Sequence, residues 1–408
     1  MKVDPSEQDG GAYYLSEPSS DLDLASVAKG TPAGDLLRRY WHPIAVASEV
    51  KDLPVAVRAL GEDLVLFKTP NGSFGLVYPR CCHRGTTLYY GKVENRGIRC
   101  CYHGWLFDPE GRCLDQPCEP NGGEKRENYR QPWYPVQERY GLVFAYMGPP
   151  ARKPILLRYE ALEVLQPGEW IEADGTSIGS GGDPIAPCNW FQHWENVMDP
   201  YHVAILHSAF SGLQFVPEMA QMPEVSFEPS PLGVKSTQIR NKDGKIFRRV
   251  TEVAMPALRV VPNPFAAAFN QAVETLGWVL PIDDVHYRIF TAGRVTESGG
   301  LLPRPKGFKG TRRRWQDMTD EERQRAPGDW EAQVGQGPIT FHSEEHLASS
   351  DRGIAMLRRF FRKQIETVAA GGDPAGTIFD ERDALIRFDA GNFLEDRPDA
   401  SGESHQPG

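Results

Sequence analysis

The sequence predicts an α+β protein in which an all-β N-terminal region precedes a larger mixed region. The chain has 408 residues, a length that suggests two or three domains. Its 40 glycines and 34 prolines accompany β-rich runs such as "AVRALGEDLVLFKT" and "GLVFAYMG", which indicates short strands and many turns. Longer helical patterns follow the segment "GPPARKP" (148–154), which is therefore the predicted boundary between the two regions.

The elements of the first region follow from local signals. Residues 1–20 are polar and contain Gly, Ser and Pro, so we expect them to be mobile. The segment "TPAGDLLRRYWHPI" (31–44) predicts a short helix, with Thr31 as the N-cap and Pro32 as the first helical residue. Strands alternating with turns are predicted from about 45 to 150.

The second region mixes helical and strand patterns. A helix is predicted at 189–208, strands at 224–296, and a loop rich in Gly, Arg and Lys at 299–314. A long helix is predicted at about 350–369, where five apolar residues recur at helical spacing. These are Ile354, Leu357, Phe361, Ile365 and Val368.

Composition excludes several classes of function. The net charge is −10 and no basic run stands out, so we expect no nucleic-acid partner. No run of roughly 18 apolar residues predicts a membrane span, and the start of the sequence lacks a secretory pattern, so we expect a cytoplasmic protein. The glycine-containing segments "GSGGD" and "GQGPI" lack the strand–turn–helix context of a dinucleotide site. Electrons for any redox reaction would then come from another protein.

Four of the seven cysteines lie beside two histidines, in "PRCCHRGTTL" (79–88) and "RCCYHGWLFD" (99–108). Disulfides between the two stretches are disfavoured in a cytosolic chain, whose thiols stay reduced. The patterns Cys81-x-His83 and Cys100-x-x-His103 suit one tetrahedral zinc ion or a [2Fe–2S] cluster with two Cys and two His ligands. Spacing alone does not separate these two alternatives.

The wider motif, "CxHRG" followed by "CCYHGWxFD", resembles the Rieske cluster loops of ring-hydroxylating oxygenases. The resemblance implies that a Rieske [2Fe–2S] cluster has four ligands in this chain, Cys81, His83, Cys100 and His103. Cys82 and Cys101 would then be neighbours that do not bind the cluster, with a role in packing.

A second constellation lies in "NWFQHWENVMDPYHVAILHSAF" (189–210), which holds Asp199, His202 and His207. Two histidines and a carboxylate leave open positions for oxygen on Fe(II). Residues five apart differ by about 140° on an ideal helix, so convergence requires a distortion, and Asp199-Pro200 is a natural place for one. Two buried, hydrogen-bonded histidines are the alternative. The pattern "ENxxDxxHxxxxH" resembles the mononuclear-iron motif of the same oxygenases, which implies that His202 and His207 bind iron.

The third iron ligand is a carboxylate farther along the chain in this family. The segment "PGDWEAQVGQGPITFHSEEHLASSDRGIAMLRR" (327–359) resembles that of phthalate dioxygenase, which implies Asp329 as the ligand, with Glu331 as the nearest rival. The acidic run 320–322 is expected to be a solvated helix face. The other histidines of this region are expected to be structural or at the surface, with His193 a possible support for the iron site. They are His193, His286, His342 and His346.

Asp199 has two interpretations. A carboxylate followed by Pro is an ordinary N-cap at the start of a helix. The resemblance implies instead that it bridges an iron-binding histidine, here His202, and a cluster-binding histidine of the neighbouring subunit, here His103.

As a whole, residues 31 to 370 resemble the oxygenase (α) component of a Rieske non-haem iron oxygenase, of the phthalate dioxygenase and aryl O-demethylase branch. The implied fold is an all-β Rieske domain before a catalytic domain whose antiparallel sheet is flanked by helices (helix-grip, START-like). We expect four segments: an arm at 1–40, the Rieske domain at 41–152, the catalytic domain at 153–392 and a disordered tail at 393–408.

The resemblance also implies function and partners. A mononuclear Fe(II) would activate O₂ to hydroxylate, dihydroxylate or O-demethylate a carboxylated or ether-containing aromatic substrate. NAD(P)H would act only indirectly, through a flavin and iron–sulfur reductase or a ferredoxin, and the chain would form a homotrimer. Alternatives are a non-aromatic substrate, such as a quaternary amine or a sterol, and an electron carrier without catalysis. Six arginines are candidates to bind a substrate carboxylate, although most are expected at the surface. They are Arg240, Arg248, Arg249, Arg259, Arg288 and Arg294.

Overall fold

The computed structural model describes residues 16–176, 183–264, 271–297 and 317–397. The loop predicted at 299–314 lies outside the described residues, as do 1–15 of the predicted mobile arm and 398–408 of the predicted tail.

The first region is built almost entirely from strands. They are β1 (Trp41–Val46), β2 (Val55–Ala59), β3 (Glu62–Lys68), β4 (Phe74–Val77), β5 (Lys92–Glu94), β6 (Gly97–Arg99), β7 (Leu106–Phe107), β8 (Cys113–Asp115), β9 (Trp133–Tyr134), β10 (Val136–Arg139) and β11 (Leu142–Tyr146). Three small antiparallel sheets result, with the orders β1-β11-β10, β2-β3-β4-β9 and β5-β6-β7-β8. Two short helices, α1 (Leu22–Ala25) and α2 (Pro32–Leu37), precede them.

The second region contains the remaining strands. They are β12 (Arg158–Tyr159), β13 (Glu169–Asp174), β14 (Ile185–Ala186), β15 (Glu224–Pro229), β16 (Gly233–Lys242), β17 (Lys245–Ala254), β18 (Leu258–Val260), β19 (Gln271–Ala272), β20 (Thr275–Asp283), β21 (His286–Thr296), β22 (Leu385–Ile386) and β23 (Gly391–Glu395). Within the described residues, β13-β21-β20-β18-β17-β16-β15 form the spine of one large sheet, to which β14, β19 and β23 add. Its pairings are antiparallel, as the resemblance implied.

This region also contains helices, several of which contact the sheet. They are α3 (Glu160–Glu163), α4 (Trp190–Met198), α5 (His202–Ala204), α6 (Asp320–Arg325), α7 (Asp329–Val334) and α8 (Arg352–Ala369), and a π-helical segment (Ile205–Phe210) continues α5. The long helix α8 is confirmed, and it packs with Leu357 and Phe361 fully buried. The α+β fold class is therefore confirmed.

The segment 31–44 is only partly helical. Thr31 is the N-cap, since its hydroxyl accepts from the Gly34 amide at 3.2 Å, and Pro32 begins the helix as predicted. The helix ends at Leu37, and Trp41 to Val46 form a strand paired with β11 instead. The reason is that Pro43 has no amide hydrogen and is disfavoured inside a helix, while burial of all six residues in the sheet stabilises the strand.

The predicted disordered tail begins too early. Phe393, Leu394 and Glu395 belong to β23, where they pair with β17, and Glu395 accepts hydrogen bonds from Arg248 at 2.9 and 2.6 Å. Pairing with an interior strand satisfies the backbone groups of this polar segment, which its composition did not suggest.

Two hydrophobic cores organise the molecule. The larger core contains residues of both regions, such as Leu64 and Phe144 from the first and Trp194 and Trp278 from the second. A smaller core lies under the two Cys/His loops and contains Phe67, Phe107 and Trp105. The loops thus project from a subdomain with its own packing.

None of the helices in the described part of the chain has both the length and the apolar character that crossing a membrane requires.

Candidate metal centres

The two Cys/His loops share one backbone design. In each loop, the cysteine amide donates to the carbonyl five residues ahead: Cys81 to Thr86 and Cys100 to Trp105, both at 2.9 Å. The glycine four residues after each cysteine donates back to the cysteine carbonyl, at 2.8 and 3.1 Å. These glycines, Gly85 and Gly104, have φ of 77° and 73°, a conformation that a side chain would strain.

The loops bring their predicted ligands face to face. Cys81 and Cys100 are buried, at 3% and 4% exposure, and their thiols hydrogen-bond to each other. The rings of His83 and His103 lie half-buried, with centroids 4.6 Å apart. Two thiols and two imidazoles therefore converge from two loops, the donor set that a Rieske cluster requires.

The cysteines next to the predicted ligands do not pack inside. Cys82 and Cys101 are exposed, so the predicted packing role is wrong. Each tight loop turns one cysteine of its pair inward and the next one out to solvent. All seven cysteines are free thiols in this structure.

Buried polar groups hold the first loop in place. The Gln131 side chain, fully buried, accepts from the Cys82 amide at 2.8 Å and donates to the carbonyls of Tyr78 and Arg80 at 2.7 and 2.9 Å. The sequence did not predict the role of Gln131, because it lies 49 residues after Cys82 and no local pattern connects the two.

The surroundings of the four side chains fit an iron–sulfur cluster. The His83 ring stacks on Trp105 at 4.5 Å, and the buried Trp105 Nε1 has no acceptor among the described residues. Burial, then the charges of His103 and Arg84, lower the pKa of His83, which favours the neutral imidazole that binds metal. Burial raises the pKa of Cys81 to about 12, so a cationic centre is needed to hold it as a thiolate.

A broken helix positions the second pair of histidines. Helix α4 ends at Met198, and Asp199 is extended, with φ −94° and ψ 105°. The helix resumes at His202 and widens into the π-helical segment that contains His207. The break at Asp199-Pro200 agrees with the expected distortion, but the π-helical turn was not predicted. Because such a turn takes more residues than an α-helical one, side chains five apart rotate less far from a common face.

Asp329 meets both histidines from the first turn of α7. Its Oδ1 lies 3.1 Å from His207 Nε2 and 3.5 Å from His202 Nε2, and the His rings have centroids 5.3 Å apart. The donor atoms of these three residues all lie within 4.8 Å of one another, which suits a single metal ion. Among the described residues, no other set of His, Cys, Asp and Glu side chains meets this condition for one ion.

The charges of this site stabilise one another. Burial acts to raise the pKa of Asp329, but the hydrogen bond from His207 and the positive charges of both histidines outweigh it and lower the pKa to about 2. Asn196 also donates to Asp329 Oδ1, at 3.2 Å. Asp329 is thus an ionised, oriented carboxylate.

The rival carboxylates have other partners. Glu331 Oε2 accepts from the Gly328 amide at 2.8 Å and so caps the start of α7. Residues 320–322 form the exposed first turn of α6, where Glu321 pairs with Arg325 at 2.6 Å, in agreement with a solvated helix face.

Both interpretations of Asp199 have a counterpart in the structure. Its Oδ1 accepts from the Tyr201 amide at 2.9 Å, as a helix cap does. Its Oδ2 lies 3.6 Å from Nδ1 of His202, a nitrogen that is buried and has no hydrogen-bond partner within the described residues. Burial acts to raise the pKa of Asp199, yet contacts with His202 and backbone amides leave it lowered.

A polar network behind the site was only partly foreseen. His193 Nδ1 lies 3.0 Å from Gln333 Oε1, which also accepts from the Tyr287 hydroxyl at 2.7 Å. Arg259 lies 3.5 Å from the other ring nitrogen. Burial, followed by the charge of Arg259, lowers the pKa of His193 to about 3. His193 therefore supports the site as a neutral group. The role of Gln333, which lies one helical turn after Asp329 and holds His193, was not predicted from the sequence.

The remaining candidates lie elsewhere. His286 pairs with Asp283 at 2.9 Å, His342 accepts from the Asp21 amide at 3.0 Å and His346 is exposed, as expected of structural or surface groups. The expectation that most of the candidate arginines are at the surface is wrong. Arg240 and Arg249 are buried and the other four are partly buried, because the interior side of the sheet is partly polar.

Comparison with known proteins adds independent findings. Residues 40–136 match the family described as "Rieske [2Fe-2S] domain". The chain is 51% identical over 398 residues to the phenoxybenzoate dioxygenase subunit alpha of Ectopseudomonas oleovorans, covering 94% of each chain. It is 33% identical over 386 residues to the 5,5'-dehydrodivanillate O-demethylase oxygenase subunit of Sphingobium sp., covering 90% of this chain and 84% of that protein.

The fold also matches solved structures. The crystal structure of dicamba monooxygenase bound to dicamba superposes with a TM-score of 0.57 at 19% identity, covering 82% of this chain and 99% of that one.

Proposed function

The chain belongs to the Rieske non-haem iron oxygenases as an oxygenase (α) component, and from this premise we propose which residues hold its metals and what it oxidises. Membership confirms the resemblance found in the motifs, and with it the enzyme class and the two cofactors, a Rieske cluster and a mononuclear iron.

The Rieske cluster is held by Cys81 and Cys100 on one iron and by His83 and His103 on the other. The equivalent loops, the facing donors and the buried thiols support this assignment. A zinc site with the same four residues is disfavoured by the family, and by a geometry that does not bring all four donors within reach of one ion in the described residues.

The mononuclear iron is held by His202, His207 and Asp329. The observation that carries the proposal is the convergence of these side chains, which come from two segments 122 residues apart in sequence. When bound, the cluster supplies one-electron transfer and the mononuclear iron supplies open positions for O₂.

Residues of the chain prepare this centre. Gln214 Oε1 lies 3.0 Å from His207 Nδ1, a contact that orients the ring with Nε2 toward Asp329. Asn196 and the two histidines keep Asp329 ionised, and His193 stays neutral behind them. Asp199 orients His202 through Nδ1, 3.6 Å from its Oδ2. The resemblance to the family implies that, in the assembly, Asp199 also joins His202 to His103 of the neighbouring subunit.

The substrate is an aromatic acid that carries an ether oxygen. The relatives described above act on phenoxybenzoate and on a dehydrodivanillate, and both names denote aromatic carboxylates with ether groups. The product is a ring diol, a hydroxylated arene or a demethylated phenol. An iron–sulfur reductase or a ferredoxin supplies the electrons, and three copies of the chain assemble. The cluster loops have a hydrophobic core of their own, which supports a cluster domain that docks against a second subunit.

Metal content and oxygen uptake test this function. Purified protein should contain about three irons per chain, two in the cluster and one at the mononuclear site. With a surrogate reductase and NADH, phenoxybenzoates and methoxybenzoates should stimulate O₂ consumption and yield oxidised products. An iron content of about two per chain with no substrate-dependent uptake would indicate an electron carrier. Uptake with quaternary amines or sterols alone would reject an aromatic substrate.

A further inference from the structure

The interior face of the large sheet becomes polar along β16 and β17. Residues of β16 and β17 that are cross-strand partners on this face are all buried. Along β16 from its start, the first pair is two valines, and the later pairs carry hydroxyl, amide and guanidinium groups. The pairs are Val234 with Val253, Ser236 with Thr251, Gln238 with Arg249, and Arg240 with Phe247. Burying polar side chains costs free energy, so a core with no other purpose would remain apolar.

The two arginines on this face lack an acidic partner. Neither Arg240 nor Arg249 forms a salt bridge with a carboxylate in the described part of the chain. Among the described residues, Arg249 donates to two neutral acceptors, Asn392 Oδ1 at 2.8 Å and the Pro262 carbonyl at 2.7 Å. Glu274 acts on Arg249 only at longer range, and burial raises the pKa of that carboxyl.

One nitrogen of the Arg240 guanidinium has no acceptor among the described residues. Its Nε donates to the Gln221 carbonyl and its Nη1 to Gln238 Oε1, both at 3.0 Å. Its Nη2 is buried and, within the described residues, has no hydrogen-bond partner. Burial lowers the pKa of Arg240 to about 10 and, with the charge of Arg240, that of Arg249 to about 9, so both remain cations at neutral pH. Two such charges attract an anion into the interior.

One short stretch of chain connects this pair to the iron site. Gln214 hydrogen-bonds to His207, and the Phe215 ring packs on the His207 ring with centroids 4.9 Å apart. The same stretch reaches Gln221, whose carbonyl accepts from Arg240. Residues 214–221 therefore link the guanidinium of Arg240 to the second histidine of the proposed iron site.

We propose that Arg240, assisted by Arg249, forms a subsite that binds the carboxylate of the substrate and so orients its ring toward the mononuclear iron. The inference rests on the proposed function and identifies the residue that selects an acid. Phe247, the cross-strand neighbour of Arg240, places an apolar ring beside the guanidinium, which suits an aryl carboxylate better than a free inorganic anion.

The test compares an acid with its neutral amide. The holoenzyme and the variants Arg240→Gln, Arg249→Gln and Arg248→Gln are assayed for binding and turnover of the 3- and 4-phenoxybenzoates and the matching phenoxybenzamides. Arg248 is the matched control, since it lies on the same strand, points the other way and pairs with Glu395 near the surface. Iron content and thermal midpoint are measured for each protein.

Wild type and Arg248→Gln should bind the acid much more tightly than the amide. Arg240→Gln should raise KM for the acid by about 10²-fold and leave KM for the amide within about threefold, because a charged hydrogen bond is lost only with the acid. Arg249→Gln should show a smaller loss of the same kind. Equal losses for acid and amide in Arg240→Gln would mean that the residue is structural and would overturn the inference.

Failure of this inference is distinguishable from failure of the proposed function. If wild type oxidises acid and amide equally well, the oxygenase activity on aromatic substrates stands and the carboxylate subsite is rejected. If wild type oxidises neither, while binding the acid with an Arg240-dependent affinity, the subsite stands and the proposed reaction is rejected.

Discussion

The cluster loops and the mononuclear site differ in how far apart in sequence their proposed ligands lie. The four proposed cluster ligands come from residues 81–103, on two loops with the same pattern of backbone hydrogen bonds. The second site joins a broken helix to Asp329, 122 residues beyond His207. The first arrangement is encoded by local turn chemistry, whereas the second requires α7 to pack beside the broken helix before Asp329 can meet the two histidines.

The two regions also differ in their supporting cores. The cluster loops stand on a small core of their own, while helix α4, which precedes the segment with His202 and His207, packs into the large core through Trp190 and Trp194. A change in one site should therefore leave the other metal in place, and the following variants test that independence.

The largest effect is expected at the cluster. Cys81→Ala or Cys100→Ala should abolish the visible absorption and the electron-spin signal of the Rieske centre, because a thiolate ligand is lost. The neighbours provide matched controls: Cys82→Ala and Cys101→Ala should keep the signal, since both thiols face solvent. Loss of the signal in Cys82→Ala, with Cys81→Ala unaffected, would reverse the ligand assignment.

The next effect is expected at the mononuclear site. Asp329→Ala should keep the Rieske spectrum, lose about one third of the total iron and reduce turnover to background. Glu331→Ala, two residues away, removes a helix cap and should cost about 1 kcal/mol of stability without loss of iron. Iron quantitation with visible spectroscopy measures both. Full turnover in Asp329→Ala together with iron loss in Glu331→Ala would move the ligand to Glu331.

A smaller effect is expected where the two sites communicate. Asp199→Asn keeps a side chain that caps the Tyr201 amide, so the variant should fold and bind both metals. An amide cannot accept from two imidazoles as a carboxylate does, so turnover should fall by about 10- to 100-fold while the cluster still reduces. Stopped-flow reduction and steady-state O₂ uptake are the measurements. Turnover near that of wild type, with full metal content, would leave capping as the role of Asp199.

The smallest effect concerns the core that both regions share. His42 is buried in β1, where burial lowers its pKa to about 4 and its Nε2 lies 2.8 Å from the Leu37 carbonyl. The folded protein therefore binds this proton less readily than the unfolded chain, whose histidine has a pKa near 6.5. The contribution to stability is present above about pH 6.5 and is lost as pH falls toward 4, by at most about 3 kcal/mol.

His42→Gln keeps a donor for Leu37 without a titrating group. Its thermal midpoint should fall less than that of wild type between pH 7 and pH 5. An equal fall in both proteins would show that other groups control acid stability in this range.

Much of the fold could be predicted because its signals are local. Thr31 and Pro32 mark a helix start, and the apolar spacing of Leu357 and Phe361 marks a buried helix face. Gly85 and Gly104 mark turns that only glycine adopts readily. Such features depend on neighbouring residues and are legible without any knowledge of the rest of the chain.

The sequence by itself therefore determined the fold class, the paired Cys/His loops and, by resemblance, the candidate iron ligands. Only the tertiary structure decided which elements meet. At the iron site, His202 and His207 converge through a π-helical turn, and Asp329 faces them while Glu331 caps a helix. Elsewhere, Trp41 to Val46 form a strand and residues 393–395 join the large sheet. The tertiary structure also buried the side chains of Arg240 and Arg249 on the interior face of the sheet. The physical reason is that each outcome depends on contacts between residues distant in sequence, whose free energies of burial and pairing override local propensity.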